Sequence, residues 1–233
     1  MTSQTYPLRH VDLDYDVDDI RCRYLQLSSG QVCDSLSERG LKGQAMAAGI
    51  YPLIHTMKVA GPAFTVQAIQ TPNMDCVNVR LGMVTSLFKG CVQVRNSGGN
   101  VSAGHFGEVN ATAARAAGCT GAVLDGSTRD SNMLIEIGFP TFCRFRSPVE
   151  SFGRYMVTDY MVPIQVQGVD GLLRIDPGDF LIGDNDGVVV VPRQMTVSIL
   201  EAAEQRARKE TDGRAQVAEG ANPLDVQEKI GRF

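Results

Sequence analysis

The sequence predicts an α/β fold built on a mostly parallel sheet. Between residues 58 and 145, apolar runs rich in strand-forming residues alternate with segments whose apolar residues recur at helical spacing. Several helical segments stop at a glycine, as at Gly90, Gly118 and Gly138, where helices commonly end. Strands that alternate with short helices are joined by right-handed crossovers, so neighbouring strands are expected to run parallel.

The predicted elements follow one another from residue 28. Ser28 and Ser29 introduce a short helix that stops at Gly40. A strand over 58–70 leads to a helix that Asn73 caps and Gly90 ends. Further strands are predicted at 91–95, 121–125 and 141–145, with helices at 107–117 and 131–137 between them.

Beyond Pro148 the pattern changes to short strands separated by turns. The runs are MVPIQV, LLRI, FLIG and GVVVVP, with turn residues such as Pro177-Gly178 and Asp186-Gly187 between them. We expect a β layer on the same core, followed by a helix over 193–210. The sequence shows no linker or repeat, so we interpret it as one α/β domain at 28–211, with an N-terminal arm at 1–27 and a polar C-terminal tail at 212–233.

Composition and charge argue against several functional classes. The 233 residues include 22 Lys+Arg and 26 Asp+Glu, and the net charge of −4 lacks the basic excess that nucleic-acid binding requires. No run reaches the roughly 18 apolar residues that cross a bilayer, and the first residues contain no apolar signal core. We therefore expect a cytoplasmic protein with no membrane or nucleic-acid partner. The six cysteines show no zinc-ligand spacing and are interpreted as small apolar residues.

Two loops carry the candidate catalytic and binding residues. One covers 96–108 and is rich in glycine, and the other covers 126–130 and ends in Arg129 and Asp130. Loops at the carboxyl ends of neighbouring parallel strands face each other across one pocket. An arginine binds a carboxylate in bidentate fashion, and an aspartate holds a divalent cation together with waters and substrate oxygens. The simpler alternative is a surface turn in which Asp130 caps the next helix.

Several motifs in a fixed order point to a family. The run from Gly98 to Pro140 reads GGN…AGHFGE…A…AGCTGAVLDGSTRD…GFP, and VCDSLSERG, VAGPAFTV and PGDFLIGDNDGVVVVP surround it. These motifs resemble the family that contains the class II 4-hydroxy-4-methyl-2-oxoglutarate/4-carboxy-4-hydroxy-2-oxoadipate aldolases and the regulator of ribonuclease activity A proteins. The likeness runs from about Gly30 to Pro192. It implies a single-domain layered β/β/α fold of the swivelling-domain type, assembled as a homotrimer or a dimer of trimers with pockets between subunits.

The resemblance also implies roles for individual residues. In aldolases of this family, a G-D-x-x segment supplies substrate-binding amides and an acidic side chain, and an R-D pair supplies a substrate arginine and a metal-binding aspartate. Arg129 and Asp130 match that pair, with Asp130 as the ligand of Mg²⁺ or, alternatively, Mn²⁺. The G-D-x-x segment is matched by Gly107, Glu108, Val109 and Asn110. The chain departs from the pattern at Glu108, and at Arg95-Asn96, where aldolase members usually carry an Asp before the glycine pair.

The function that the resemblance implies is a divalent-metal-dependent lyase that cleaves a 4-hydroxy-2-oxo acid and releases pyruvate. Arg129 and the amides of 107–110 would bind the oxyanions of the enolate, and Glu108 would accept the 4-hydroxyl proton through a water. Oxaloacetate decarboxylation passes through the same enolate and would accompany or replace the aldol reaction. The alternative is a non-catalytic regulator that binds a ribonuclease or another protein, as some relatives do.

Three further polar positions have two interpretations each. His105 would either contact substrate or, as the favoured interpretation, be a solvated loop residue. Asp34 would either serve a neighbouring subunit's pocket or be an exposed helix carboxylate. Asp184 and Asp186 are spaced like metal ligands, but the segment GDNDG between two strand-like runs is first of all a hairpin turn.

Overall fold

The structure is a computed structural model that describes residues 8–72 and 77–230. Its helices are α1 Val17–Tyr24, α2 Ser29–Ser37, α3 Val77–Ser86, α4 Glu108–Ala116, α5 Ser131–Glu136, α6 Thr196–Ala218 and α7 Pro223–Ile230. Its strands are β1 Tyr51–Pro52, β2 Val59–Gln70, β3 Val92–Asn100, β4 Gly121–Thr128, β5 Thr141–Arg146, β6 Tyr155–Tyr160, β7 Ile164–Gly168, β8 Gly171–Ile175, β9 Phe180–Asp184 and β10 Gly187–Val191. In this part of the chain, no helix combines the length and apolar character needed to cross a membrane.

The centre of the fold is a sheet in the order β1-β5-β4-β3-β2-β9-β10, with β6 paired to β2. The four strands β2 to β5 are parallel, and Thr65, Val94, Val123 and Phe142 lie side by side across them. The outer strands β1, β6 and β9 pair antiparallel to this centre. The prediction of an α/β fold with a mostly parallel central sheet is therefore confirmed.

The two faces of the sheet are covered differently, because successive residues of a strand point to opposite sides. Phe64 and Leu124 face helices α3, α4 and α5, where they pack with Met83 and Leu134 among others. Their neighbours Ala63 and Val123 belong to a second core, shared with the separate β7–β8 hairpin. A third core joins α1, α2 and α6 to β9 and β10. These layers give the predicted β/β/α arrangement.

Several element boundaries differ from the sequence-based expectation. The segment predicted as an arm contains α1, whose Tyr24 is fully buried and donates its hydroxyl to the Thr196 carbonyl at 2.7 Å. The helix predicted over 193–210 continues to Ala218, and α7 lies within the predicted tail. Strand β6 was not predicted, because its sequence YMVTDY mixes polar with apolar residues. The limits of the domain at 28–211 stay a prediction.

Two strands run further than their apolar residues indicate. β3 continues to Asn100 and β4 to Thr128, and the pairing between them shifts in register after Asn96. Gly98 and Gly99 have φ values of 60° and 68°, a conformation that glycine adopts without strain and that permits this irregularity. The functional loops therefore begin later than predicted.

Two other expectations have simple outcomes. Cys91, Cys119 and Cys143 are buried, as expected for small apolar residues, whereas Cys22 is exposed. Asn73, the predicted cap of the third helix, and Cys76 lie outside the described residues.

Candidate active site at the carboxyl ends of the parallel strands

Segments that follow β3, β4 and β5 meet at one edge of the sheet, as expected for parallel neighbours. They enclose an open cleft of about 200 Å³ together with the first turns of α3 and α4. The cleft is lined by Arg80, Gly104, His105, Gly107, Val109, Asn110, Arg129, Asp130, Glu150, Ser151 and Phe152. The structure thus brings Arg129 and Asp130 together with most of the predicted 107–110 segment.

Glycine is required where the two predicted loops touch. A Cβ atom at Gly107 would lie 2.4 Å from Oδ2 of Asp130, and one at Gly104 would lie 2.6 Å from Cβ of Arg129. Both distances are shorter than real Cβ contacts, so any larger residue would push the R-D pair away from α4. Gly104 and Gly107 therefore act through close packing of the two loops.

The backbone of Asp130 turns its carboxylate toward α4. Asp130 has φ 57°, a left-handed conformation that is unusual for a residue other than glycine and often occurs at functional sites. Its side chain makes no capping hydrogen bond to α5. Instead Oδ2 accepts from the Glu108 backbone N–H at 3.2 Å and from Nε of Arg129 at 3.3 Å. The capping interpretation of Asp130 is therefore wrong, although the residue does stand at the N-cap position.

Arg129 and the amino end of α4 present donors to the cleft. The Arg129 backbone N–H donates to the Phe106 carbonyl at 2.9 Å, which fixes the residue, while 39% of its side chain stays exposed. The amides of Val109 and Asn110 lie in the first turn of α4, where N–H groups have no partner within the helix. Free amides and the positive end of the helix dipole favour an anion at this point.

The Glu108 carboxylate is directed away from the cleft. Its Oε1 accepts from the Thr112 hydroxyl at 2.7 Å, one turn along α4. Its side chain does not line the cleft, whereas the exposed Glu150 does. The role of Glu108 as a base stays a prediction, and it requires the bond to Thr112 to open.

The donor set fits a divalent ion held largely by substrate and water. Within residues 8–72 and 77–230 no group of three or more His, Cys, Asp or Glu side chains is arranged to hold a metal. The Asp130 carboxylate is 31% exposed, and among these residues its Oδ1 has no hydrogen-bond partner. Mg²⁺ commonly binds through one or two carboxylates and keeps several waters, so a single carboxylate such as Asp130 is compatible with such a site.

Comparisons with known proteins identify the family of the chain. A family model described as RraA-like, Aldolase/RraA, matches residues 29–190. The chain belongs to the RraA-like family. A protein of Halalkalibacterium halodurans named "Putative 4-hydroxy-4-methyl-2-oxoglutarate aldolase" is 30% identical over 157 residues, which are 67% of this chain and 70% of that protein. A protein of Halorhodospira halophila with the same name is 28% identical over 74% of this chain and 100% of its own length.

A solved structure extends the likeness to the fold. The crystal structure of Streptomyces coelicolor RraAS2, described as an unusual member of the RNase ES inhibitor RraA protein family, superposes with a TM-score of 0.76 at 27% identity. The match covers 85% of this chain and 98% of that one. The RraA-like family thus includes proteins named as aldolases and proteins named as ribonuclease inhibitors.

His105 of this RraA-like chain is buried, so the expectation of a solvated loop residue is wrong. Its ring stacks on Tyr155 with centroids 4.1 Å apart, and only 3% of the residue is exposed. Burial, assisted by the charge of Arg95, lowers the pKa of His105 to about 4, so the ring is neutral at pH 7. The Ser127 N–H points at Nδ1 at 3.4 Å, which leaves Nε2 to donate to Oδ1 of Asn100 at 3.3 Å.

The two remaining candidates have structural partners. Asp184 closes the β9–β10 hairpin and accepts from the backbone and the hydroxyl of Ser29 at 2.8 and 2.7 Å. Asp34 lies on α2 with 62% of its side chain exposed, and Arg206 is 3.6 Å away. The hairpin interpretation of Asp184 is confirmed, while a role of Asp34 in another subunit's pocket stays a prediction.

Sequence reasoning missed part of the cleft. Arg80 comes from α3, and Glu150, Ser151 and Phe152 come from the segment after β5. The signal was available, because a third parallel strand delivers its following loop to the same sheet edge as the first two. The change of pattern at Pro148 obscured it.

Proposed function

We propose that the chain is a divalent-metal-dependent lyase that releases pyruvate from a 4-hydroxy-2-oxo acid. One observation carries the proposal, namely the R-D pair held against the amino end of α4 by the 3.2 Å contact between the Glu108 N–H and Asp130. This places a guanidinium, free amides and a carboxylate with an open oxygen around one cleft. The two relatives named as aldolases support the same reaction class.

Different residues have different roles in the cleavage reaction. The Arg129 guanidinium and the amides of Val109 and Asn110 bind the substrate's oxyanions and stabilise the enolate left when the C3–C4 bond breaks. Asp130 would hold a divalent ion such as Mg²⁺, whose Lewis acidity would polarise the 2-oxo group. As the electron pair of the C3–C4 bond moves into the enolate, the 4-hydroxyl proton passes to a base and C4 leaves as a carbonyl. A proton from water or from the protonated base then adds to C3 of the enolate and gives pyruvate.

Two carboxylates are available to take that proton. Glu108 is the base expected from the family pattern, and it stands at the first residue of α4. Glu150 lines the cleft and is exposed. We assign the role to Glu108 after it releases Thr112, with Glu150 as the residue to compare with it.

Pyruvate release is the direct test. Purified protein is assayed with a panel of 4-hydroxy-2-oxo acids and with oxaloacetate, in Mg²⁺ and in excess chelator. We expect Mg²⁺-dependent pyruvate from at least one hydroxy acid, and decarboxylation of oxaloacetate because it forms the same enolate. Absence of pyruvate from every substrate in Mg²⁺ and in Mn²⁺ would overturn the proposal.

The likeness to RraAS2 favours a second candidate, a regulator that inhibits a ribonuclease. RNA cleavage by RNase ES is measured with and without this chain and with its Asp130→Ala variant. A regulator inhibits cleavage equally well in both forms, whereas a lyase leaves RNA cleavage unchanged. The homotrimer or dimer of trimers implied by the resemblance stays a prediction, which analytical ultracentrifugation tests.

A further inference from the structure

A small recess lies behind the cleft. It has a volume of about 60 Å³ and is lined in part by Arg95, His105 and Tyr155. The recess and the cleft share five lining residues, Arg80, His105, Asn110, Ser151 and Phe152. The two spaces therefore adjoin, and a ligand in the cleft can extend into the recess.

Arg95 brings a charge to the recess without a counterion. It lies on the central strand β3 and is 2% exposed. Its acceptors among the described residues are neutral, namely Oε1 of Gln93 at 2.9 and 3.1 Å and the His105 carbonyl at 3.1 Å. In the part of the chain that the structure describes, no carboxylate pairs with Arg95, whereas Arg144 on β5 pairs with Asp125 on β4. The Arg95 guanidinium lies over the Phe106 ring at 4.9 Å from its centroid, but the ring does not neutralise it, and a buried charge without a counterion is costly.

A buried hydroxyl that lines the same recess is unsatisfied among the described residues. The hydroxyl of Tyr155 is buried and donates to no acceptor within the described part of the chain, and the residue is only 5% exposed. Its ring is held in place by stacking on neutral His105. Among the described residues that line the recess, two are arginines and none is acidic. A guanidinium without a described counterion, together with a hydroxyl that donates to no described acceptor, is suited to an anion.

We propose that the recess is a second anion subsite, in which Arg95 and the Tyr155 hydroxyl bind a carboxylate at the end of the substrate remote from its 2-oxo group. The inference rests on the proposed function, which places the 2-oxo acid end against Arg129 and α4. The volume of about 60 Å³ exceeds what one ordered water needs and admits a carboxylate group. Arg95 then determines specificity, since it selects substrates with two carboxylates over those with one.

The test compares two ligands that differ by one carboxylate. 2-Oxoglutarate and 2-oxopentanoate have the same chain length, and neither has a 4-hydroxyl, so binding is measured by calorimetry in Mg²⁺ without aldol cleavage. We expect the native protein to bind 2-oxoglutarate about tenfold more tightly or better, as one charge-assisted contact provides. Arg95→Met should reduce this preference to less than about threefold, while Arg115→Met, at an exposed arginine outside the cleft, should keep it.

A milder variant keeps the inference testable if Arg95→Met fails to fold. Tyr155→Phe retains the ring that stacks on His105 and removes only the hydroxyl, so we expect it to fold and to lose about threefold of the preference. Equal binding of the two acids by the native protein, or a full preference that survives Arg95→Met, would overturn the subsite. The result is separate from the proposed function: a preference for the diacid without pyruvate release from any substrate would support the subsite and refute the lyase.

Discussion

Two aspartates in glycine-rich turns look alike in the sequence and differ in the structure. Asp130 ends the segment GSTRD and Asp184 begins DNDG, and either could be a metal ligand by pattern. Both oxygens of Asp184 are occupied, since Oδ2 accepts from the Ser29 N–H, and Oδ1 accepts from the Ser29 hydroxyl and from the Asp186 N–H at 3.0 Å. Among the described residues Asp130 uses only Oδ2, and its Oδ1 stays open beside the cleft.

A carboxylate whose two oxygens already accept hydrogen bonds within the protein has little capacity left to bind a ligand. Asp184 is 9% exposed and joins the hairpin to α2, so its bonding capacity is used by the fold. The Asp130 side chain is 31% exposed and sits on a strained left-handed backbone that the surrounding contacts maintain. Substitutions at the two positions should therefore separate activity from stability.

The largest effect on pyruvate release is expected at Asp130. Asp130→Ala removes the protein anchor for the metal and should reduce pyruvate release below detection, with Mg²⁺ and substrate present. Because one Asp130 oxygen has no described partner, the free energy of unfolding should change by no more than about 1 kcal/mol. Pyruvate assays and urea unfolding of the same preparation check both statements. Full activity in this variant would remove Asp130 from the mechanism.

The second-largest effect on activity is expected at Arg129. The substitution Arg129→Lys keeps the positive charge but removes the planar guanidinium. If its donors stabilise the enolate, turnover should fall by about a hundredfold or more for both the aldol and the decarboxylation reaction. Mg²⁺ affinity, measured by calorimetry, should remain within about threefold, since Asp130 is unchanged. Unchanged kinetics would reduce Arg129 to a structural role.

Glu108 should affect one reaction only. Retro-aldol cleavage needs a base for the 4-hydroxyl proton, whereas oxaloacetate decarboxylation does not. Glu108→Gln should therefore lower pyruvate release from a hydroxy acid by about a hundredfold and spare decarboxylation. Glu150→Gln is the matched control, at a glutamate whose side chain does line the cleft. If Glu150→Gln gives the selective loss and Glu108→Gln does not, the base is Glu150 and Glu108 serves the amino end of α4 through Thr112.

The sequence predicts the cleft better than it predicts the recess. Arg129, Asp130 and the 107–110 segment follow from strand ends, glycines and a family pattern, all of which are local along the chain. His105 looks like a loop residue because burial by Tyr155, fifty residues later, leaves no mark near it. Arg95 looks like a polar strand end, yet β3 continues beyond it through an irregular, glycine-containing segment. Contacts between distant segments decide burial, and a single sequence does not display them.

His105 offers a pH test of that burial. Its pKa is about 4 in the folded protein, below the ordinary 6.5, so the unfolded chain binds the extra proton between these values. Above pH 6.5 the neutral His105 does not reduce the stability of the fold. As the pH falls toward 4, the free energy of unfolding should decrease by about 3 kcal/mol. The free energy of unfolding is measured with urea from pH 7 to pH 4. This pH-dependent loss of stability should disappear in His105→Gln and remain in His55→Gln, where the histidine is exposed.

The smallest effect on pyruvate release is expected at Asp184, which is the second aspartate of the comparison. In Asp184→Asn the amide oxygen can replace only one carboxylate oxygen, and the NH₂ group then faces a donor, either the Ser29 N–H or the Ser29 hydroxyl and Asp186 N–H. Leaving a buried donor unsatisfied should lower the free energy of unfolding by about 2 kcal/mol. Pyruvate release should stay at the native level, because Asp184 is not among the residues that line the cleft. If Asp184→Asn instead lost activity with its stability intact, the distinction between the two aspartates would fail, and the β9–β10 turn would have to be counted as part of a functional site.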